Sequence, residues 1–203
     1  MSAVLEFTEK TAENGNGIYV KKPHLFTVET YELMIKHGIF TENDNVELLN
    51  GEIIDKMPKG TKHCYLNDLI GDVLKEKLGA KVYVRTQNSM ILDDYSEPEP
   101  DILICKPPRS LYLEKHPTPS DIWLVLEVSD STLYLDRNSK GNAYARANIE
   151  QYLIVNVENN TIEDYRQPSS DGYQWKQTYK IGDNFGLVAF PEIEIKVTDF
   201  FQN

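Results

Sequence analysis

The run Ile122-Trp123-Leu124-Val125-Leu126-Glu127-Val128 is nearly continuous in apolar residues. A strand of this kind is built to be covered on both faces, as the central strands of a layered α/β sheet are. Glu127 is out of place in it, because a carboxylate inside a buried run is costly unless it is paired, neutralised or bound to a cation. A second buried run, Ile102-Leu103-Ile104-Cys105, follows Glu97-Pro98-Glu99-Pro100-Asp101. The two prolines force the residues before them toward extended geometry, so Asp101 enters its strand from a stiff lead. If the two strands are neighbours, Asp101 and Glu127 bring like charges together, an arrangement that raises one pKa or recruits a metal. Hard divalent ions suit such a pair: Mg²⁺ takes one or two carboxylates, keeps several waters and leaves room for a phosphate. It would polarise the phosphoryl group and generate hydroxide from bound water.

On the C-terminal side, a helix is expected from about Asp136 to Ile149, weakened by Gly141. Asp136, Lys140 and Tyr144 share one face of it at i, i+4 and i+8. An ammonium and a phenol would then point at the same place, where a lysine orients an attacking water or stabilises developing negative charge. Beyond it, Tyr152 to Val157, Thr161 to Arg166 and Tyr173 to Lys180, separated by turns at Asn159-Asn160 and Asp171-Gly172, read as an antiparallel meander. The alternating tail Ile193 to Val197 marks a last, half-exposed strand.

On the N-terminal side, strands are expected at Lys81 to Arg85 and about Ser89 to Leu92. Leu66, Leu69, Ile70, Val73, Leu74 and Leu78 define one face of a helix from Thr61 to Leu78, stopped by Gly79. In Val46-Glu47-Leu48-Leu49-Asn50-Gly51-Glu52-Ile53-Ile54, Asn-Gly between apolar runs signals a tight hairpin, with Glu47 and Glu52 on paired strands. A short helix starts at Thr27, its N-cap, and ends by Gly38. Residues 1–24 form an N-terminal arm and residues 25–203 a single domain.

Composition agrees with one domain: 203 residues, 40% hydrophobic. Cys64 and Cys105 have no CxxC partner, so neither a zinc knuckle nor a disulfide framework is indicated, and a cytoplasmic setting is expected. Secretion and membrane spanning are not, for want of a basic start with an apolar core or a long apolar run. With 21 basic and 32 acidic residues, the net charge of −11 is the wrong sign for holding nucleic acid by bulk electrostatics. Any such binding needs a local basic rim, for which Lys56, Lys59, Lys62, Arg85 and Lys140 are candidates, or a cleft formed by a homodimer.

Plainer readings stand beside these. Asp101 is equally suited to accepting loop hydrogen bonds at a strand entry. Glu127 has potential partners in Arg85 or Arg146, and Lys140 in Asp136 as a solvated helix pair. Glu97, Glu99, Asp93 and Asp94 read as solvent-facing loop charges, and His63 as a surface or capping histidine.

The order of hairpin with Glu47, long helix, strand with Pro100-Asp101, strand with Glu127 and helix with Lys140 resembles the PD-(D/E)XK nuclease superfamily. More narrowly it resembles the family of restriction endonucleases long catalogued as a domain of unknown function. The carrying stretches are residues 46–53, 99–102 and, above all, 126–155. The resemblance implies a restriction-endonuclease-like core, a central mixed sheet flanked by helices with extra antiparallel hairpins, and a Mg²⁺-dependent endonuclease acting on DNA, with Mn²⁺ as a substitute. It assigns Asp101 and Glu127 as the acidic metal ligands. The superfamily's lysine two residues after the second acid is Ser129 here, and the narrower family's displacement of that lysine to the next helix assigns its role to Lys140. Glu47, His63 and Tyr144 follow as residues lining the site. The alternative is a catalytically degenerate nuclease-fold binding or assembly module, as Ser129 and the negative charge suggest. A sugar hydrolase using the acid pair has less support, because the 12 tyrosines do not cluster near those acids in sequence.

Overall fold

The computed structural model describes residues 23–41 and 43–201. Most of the expected arm therefore lies outside the described residues. Helix α1 (Val28–Lys36) starts where Thr27 accepts the Thr30 N–H on its hydroxyl, an N-cap supplied by the residue type. The Asn50-Gly51 pair turns strand β1 (Val46–Leu49) into β2 (Glu52–Asp55), with φ of 54° and 80° at the two turn residues. A β-carbon at Gly51 would lie 2.7 Å from that of Leu25, so conformation and space both demand glycine. Helix α2 (Thr61–Leu78) has the limits its periodicity predicts.

A six-stranded sheet runs in the order β3 (Tyr83–Thr86), β4 (Ile102–Cys105), β5 (Ile122–Ser129), β6 (Gln151–Asn156), β7 (Thr161–Ser169) and β8 (Gly172–Tyr179). Only β5 and β6 are parallel neighbours; the other pairings are antiparallel. The parallel pair requires a crossover, and the crossover is helical: α3 (Leu133–Leu135), a π-turn (Asp136–Lys140) and α4 (Gly141–Arg146). A separate hairpin, β9 (Asn184–Leu187) with β10 (Phe190–Lys196), and a last turn, α5 (Val197–Phe200), complete the chain.

Alternation along the strands divides the core in two. Ile102, Ile104, Leu124, Leu126, Val128 and Leu153 face α2, α5 and the β9–β10 hairpin. Leu103, Cys105, Val125, Tyr152 and Ile154 face the other way, toward Tyr144 of α4, Leu49 of β1 and Met90. Glu127 belongs to this second face by parity, and so does Ser129.

Three expectations are corrected. Ser89 to Leu92 is not a strand: the Met90, Ile91 and Leu92 N–H groups bond to Pro98, Pro117 and Ser96 carbonyls in neighbouring loops. The helix expected over 136–149 begins at Leu133, widens through the π-turn and ends at Arg146. The final strand begins at Phe190 and stops at Lys196, where Val197 opens α5.

Candidate functional site

The β4/β5 register pairs Ile102 with Leu126, which sets Asp101 and Glu127 opposite one another at the mouth of the sheet. The backbone N–H of Asp101 lies 3.3 Å from Glu127 Oε2. Asp101 Oδ2 accepts the Val128 N–H at 2.9 Å and lies 3.0 Å from His63 Nε2, with Lys59 Nζ 3.9 Å from Oδ1. Burial opposes ionisation of Asp101, but the His63 hydrogen bond and charge, the Val128 N–H and Lys59 outweigh it and hold the carboxyl below its usual range.

Glu127 is 3% exposed. Its Oε1 accepts from Lys140 Nζ at 3.0 Å and from the Tyr144 hydroxyl at 2.8 Å. Lys140 Nζ also lies 3.1 Å from Glu47 Oε1, while Glu47 Oε2 accepts the Glu99 N–H at 2.9 Å. The hairpin thus contributes a carboxylate to the lysine and clamps the Pro-flanked lead into β4. The π-turn brings Asp136 and Lys140 inward together, with Asp136 receiving the Thr132 hydroxyl at 2.6 Å. Glu47, Glu127 and Asp136 therefore crowd around one buried ammonium, with Asp101 beside Glu127. Burial, opposed by Lys140 but reinforced by Asp101, Asp136 and Glu47, pushes the Glu127 carboxyl up to about 8. Burial works against the charge on Lys140, yet Glu127, Glu47 and Asp136 overcome it and hold the amine above its ordinary value. Burial leads the first shift and neighbouring carboxylates the second, and both leave a site short of positive charge.

That shortage is what a divalent cation would relieve. The donors fit a hard ion: two adjacent carboxylates, Asp101 and Glu127, in a cleft of about 70 Å³ whose walls also carry Lys59, Gly60, Asp130 and Thr132.

The sequence model of the Uma2 family, described as "Putative restriction endonuclease", matches residues 28–198. The chain belongs to this family. A solved structure, of a putative nuclease belonging to DUF820 from Anabaena variabilis, is similar with a TM-score of 0.66 and 16% sequence identity, covering 87% of this chain and 97% of that one. At that identity the likeness carries the fold. No curated protein matches the chain.

In this Uma2 chain all six residues singled out from the sequence, Glu47, His63, Asp101, Glu127, Lys140 and Tyr144, converge on the same cleft or its floor. The rival partners of Glu127 do not reach it. Arg85 bonds Asn88 and lies over the Tyr83 and Tyr112 rings, and Arg146 donates to Asn50. His63 is buried rather than superficial. The proposed rim contracts: Arg85 is buried, Lys62 is tied to the Val157 carbonyl and Lys140 belongs to the site's floor, leaving Lys56 and Lys59 along the cleft. Lys56 is 3.0 Å from Glu99. Asp136 joins the Uma2 site without having been singled out as a site residue, although its i, i+4 relation to Lys140 was the available signal. Glu97, read as a solvent-facing charge, is 4% exposed because its N–H bonds Leu48 and draws it beneath the hairpin. Among the described residues no helix is long and apolar enough to cross a membrane.

Proposed function

We propose that the chain is a Mg²⁺-dependent endonuclease that hydrolyses phosphodiester bonds in DNA. The observation that carries the reading is the juxtaposition of Asp101 and Glu127 across β4 and β5, with Lys140 at 3.0 Å from Glu127 on the cleft floor. Asp101 and Glu127 would hold the metal, which supplies Lewis-acid polarisation of the phosphoryl group and a water of lowered pKa. His63 and the Val128 N–H fix the Asp101 carboxylate in direction and keep it ionised. Tyr144 and Lys140 fix Glu127 from the opposite side, and the ammonium adds a positive charge beside the developing phosphorane. Glu47 holds that ammonium in place from behind.

Asp101→Ala protein, purified and checked by circular dichroism, should lose nicking of supercoiled plasmid in Mg²⁺ while keeping its fold. Undiminished cleavage overturns the reading. A second reading, a catalytically degenerate binding or assembly module, draws on Ser129, which occupies the superfamily's lysine position on the same sheet face as Glu127. It expects no Mn²⁺ binding heat from Asp101 and Glu127, whereas the nuclease reading expects heat that Glu127→Ala removes. A cytoplasmic setting and a homodimeric working form belong to the nuclease reading, the latter testable by sedimentation with and without DNA.

A further inference from the structure

Outside the Asp101 cleft, three elements bring Glu32 of α1, Glu97 of the lead into β4 and His116 of the segment before β5 into one cluster. One ligand atom from each lies within 4.8 Å of the other two. His116 Nε2 is 3.6 Å from Glu97 Oε1, too long for a hydrogen bond. It is close to the separation of about 3.4 Å that two ligands adopt on one tetrahedral ion with bonds of about 2.1 Å. Glu97 is the informative member. It is 4% exposed, and its Oε2 has no hydrogen-bond partner among the described residues. A buried carboxylate oxygen without a partner carries its full desolvation cost, and the facing carboxylate of Glu32 makes that worse. Burial and then Glu32 push the Glu97 carboxyl up to about 7 against the pull of Ser89.

We propose that Glu32, Glu97 and His116 form a second metal site, taking a divalent transition ion of borderline hardness such as Zn²⁺. The imidazole argues against Mg²⁺ or Ca²⁺, which prefer all-oxygen sets, and two carboxylates with one imidazole leave positions for water. Glu32 is exposed, and its carboxylate already lies within 4.8 Å of the other two ligand atoms. The ion would serve as a staple. Its three ligands come from segments that also meet through backbone bonds, Val28 N–H to the Asp94 carbonyl and Ile91 N–H to the Pro117 carbonyl, and through the packing of Ile91 against the cluster of Val28, Tyr31 and Leu48. Metal binding there would tether α1 and the 113–118 segment to the lead that aims Asp101. The inference does not depend on the nuclease reading.

The test is calorimetric titration of the full chain with ZnCl₂, paired with thermal melts in zinc and in chelator. Wild type and Asp101→Asn should share one Zn²⁺ equivalent and a zinc-dependent rise in melting temperature. In the Asp101→Asn background both should be lost on adding His116→Ala or Glu97→Gln. His116 is partly exposed, so its alanine variant keeps the experiment decisive if Glu97→Gln folds poorly. Equal stoichiometry and an equal melting shift in wild type and His116→Ala overturn the proposal, as does a wild type that binds no zinc outside the Asp101 cleft.

Discussion

At the scale of single residues, Lys140 is held between Glu127 and Glu47 and, among the described residues, is the only buried cation within reach of both. Removing one partner of such a group leaves uncompensated buried charge. Lys140→Met should therefore lower stability by about 3 kcal/mol in urea unfolding at neutral pH. The Glu127 carboxyl makes a pH prediction of definite sign. Its folded pKa, about 8, is raised above the ordinary 4.5, so its contribution to stability is whole below about 4.5 and is lost as pH rises through about 8. In chelator, wild type should melt at a lower temperature at about pH 8.5 than at about pH 6, with Glu127→Gln flattening the difference. Because ligation needs the ionised form, Mn²⁺ affinity should rise across the same window with release of protons. At this scale the sequence was most legible where a residue contradicted its surroundings. Glu127 in an apolar run and Asp101 behind two prolines stood out for that reason. Glu97 did not, since a carboxylate among loop residues gives no sign of its depth, and what buries it is a pairing with Leu48 far away in the chain.

At the scale of elements, the crossover between β5 and β6 aims its side chains through a π-turn. A β-carbon at Gly141 would lie 3.1 Å from the Asp136 carbonyl oxygen, which the Tyr152 hydroxyl also holds. In an ordinary helix, glycine to alanine gains about 1 kcal/mol. Here Gly141→Ala should instead cost about 1 kcal/mol, read by urea denaturation, because backbone and not a flexible side chain would have to move. Periodicity located α2 to the residue, and the Asn-Gly signal located the turn of the hairpin, since both signals are local. It missed the π-turn, where the hydrogen-bond ladder shifts by one without a marker in residue type. It also missed β9, four residues containing Gly186, whose partner is the following strand. Ser89 to Leu92 misled in the other direction: its residues suit a strand, but their N–H groups are taken by loops.

At the scale of the whole molecule, a net charge of −11 opposes approach to a polyanion, so what positive potential exists near the cleft matters disproportionately. Lys56 and Lys59 line that cleft. The double variant Lys56→Ala/Lys59→Ala should bind duplex DNA more weakly, with a shallower dependence of log K on log salt by about 2, one for each lost phosphate contact. An unchanged slope in fluorescence anisotropy would place the contact surface elsewhere.

The single parallel pairing has a further consequence for how the molecule comes into being. Strands β5 and β6 cannot meet until the intervening chain has closed over the sheet, and that same chain carries Lys140. The ammonium reaches its carboxylates only as this long-range closure is made. A chain in which this crossover has not closed lacks Lys140 between Glu47 and Glu127, so assembly of the cleft floor is coupled to completion of the sheet.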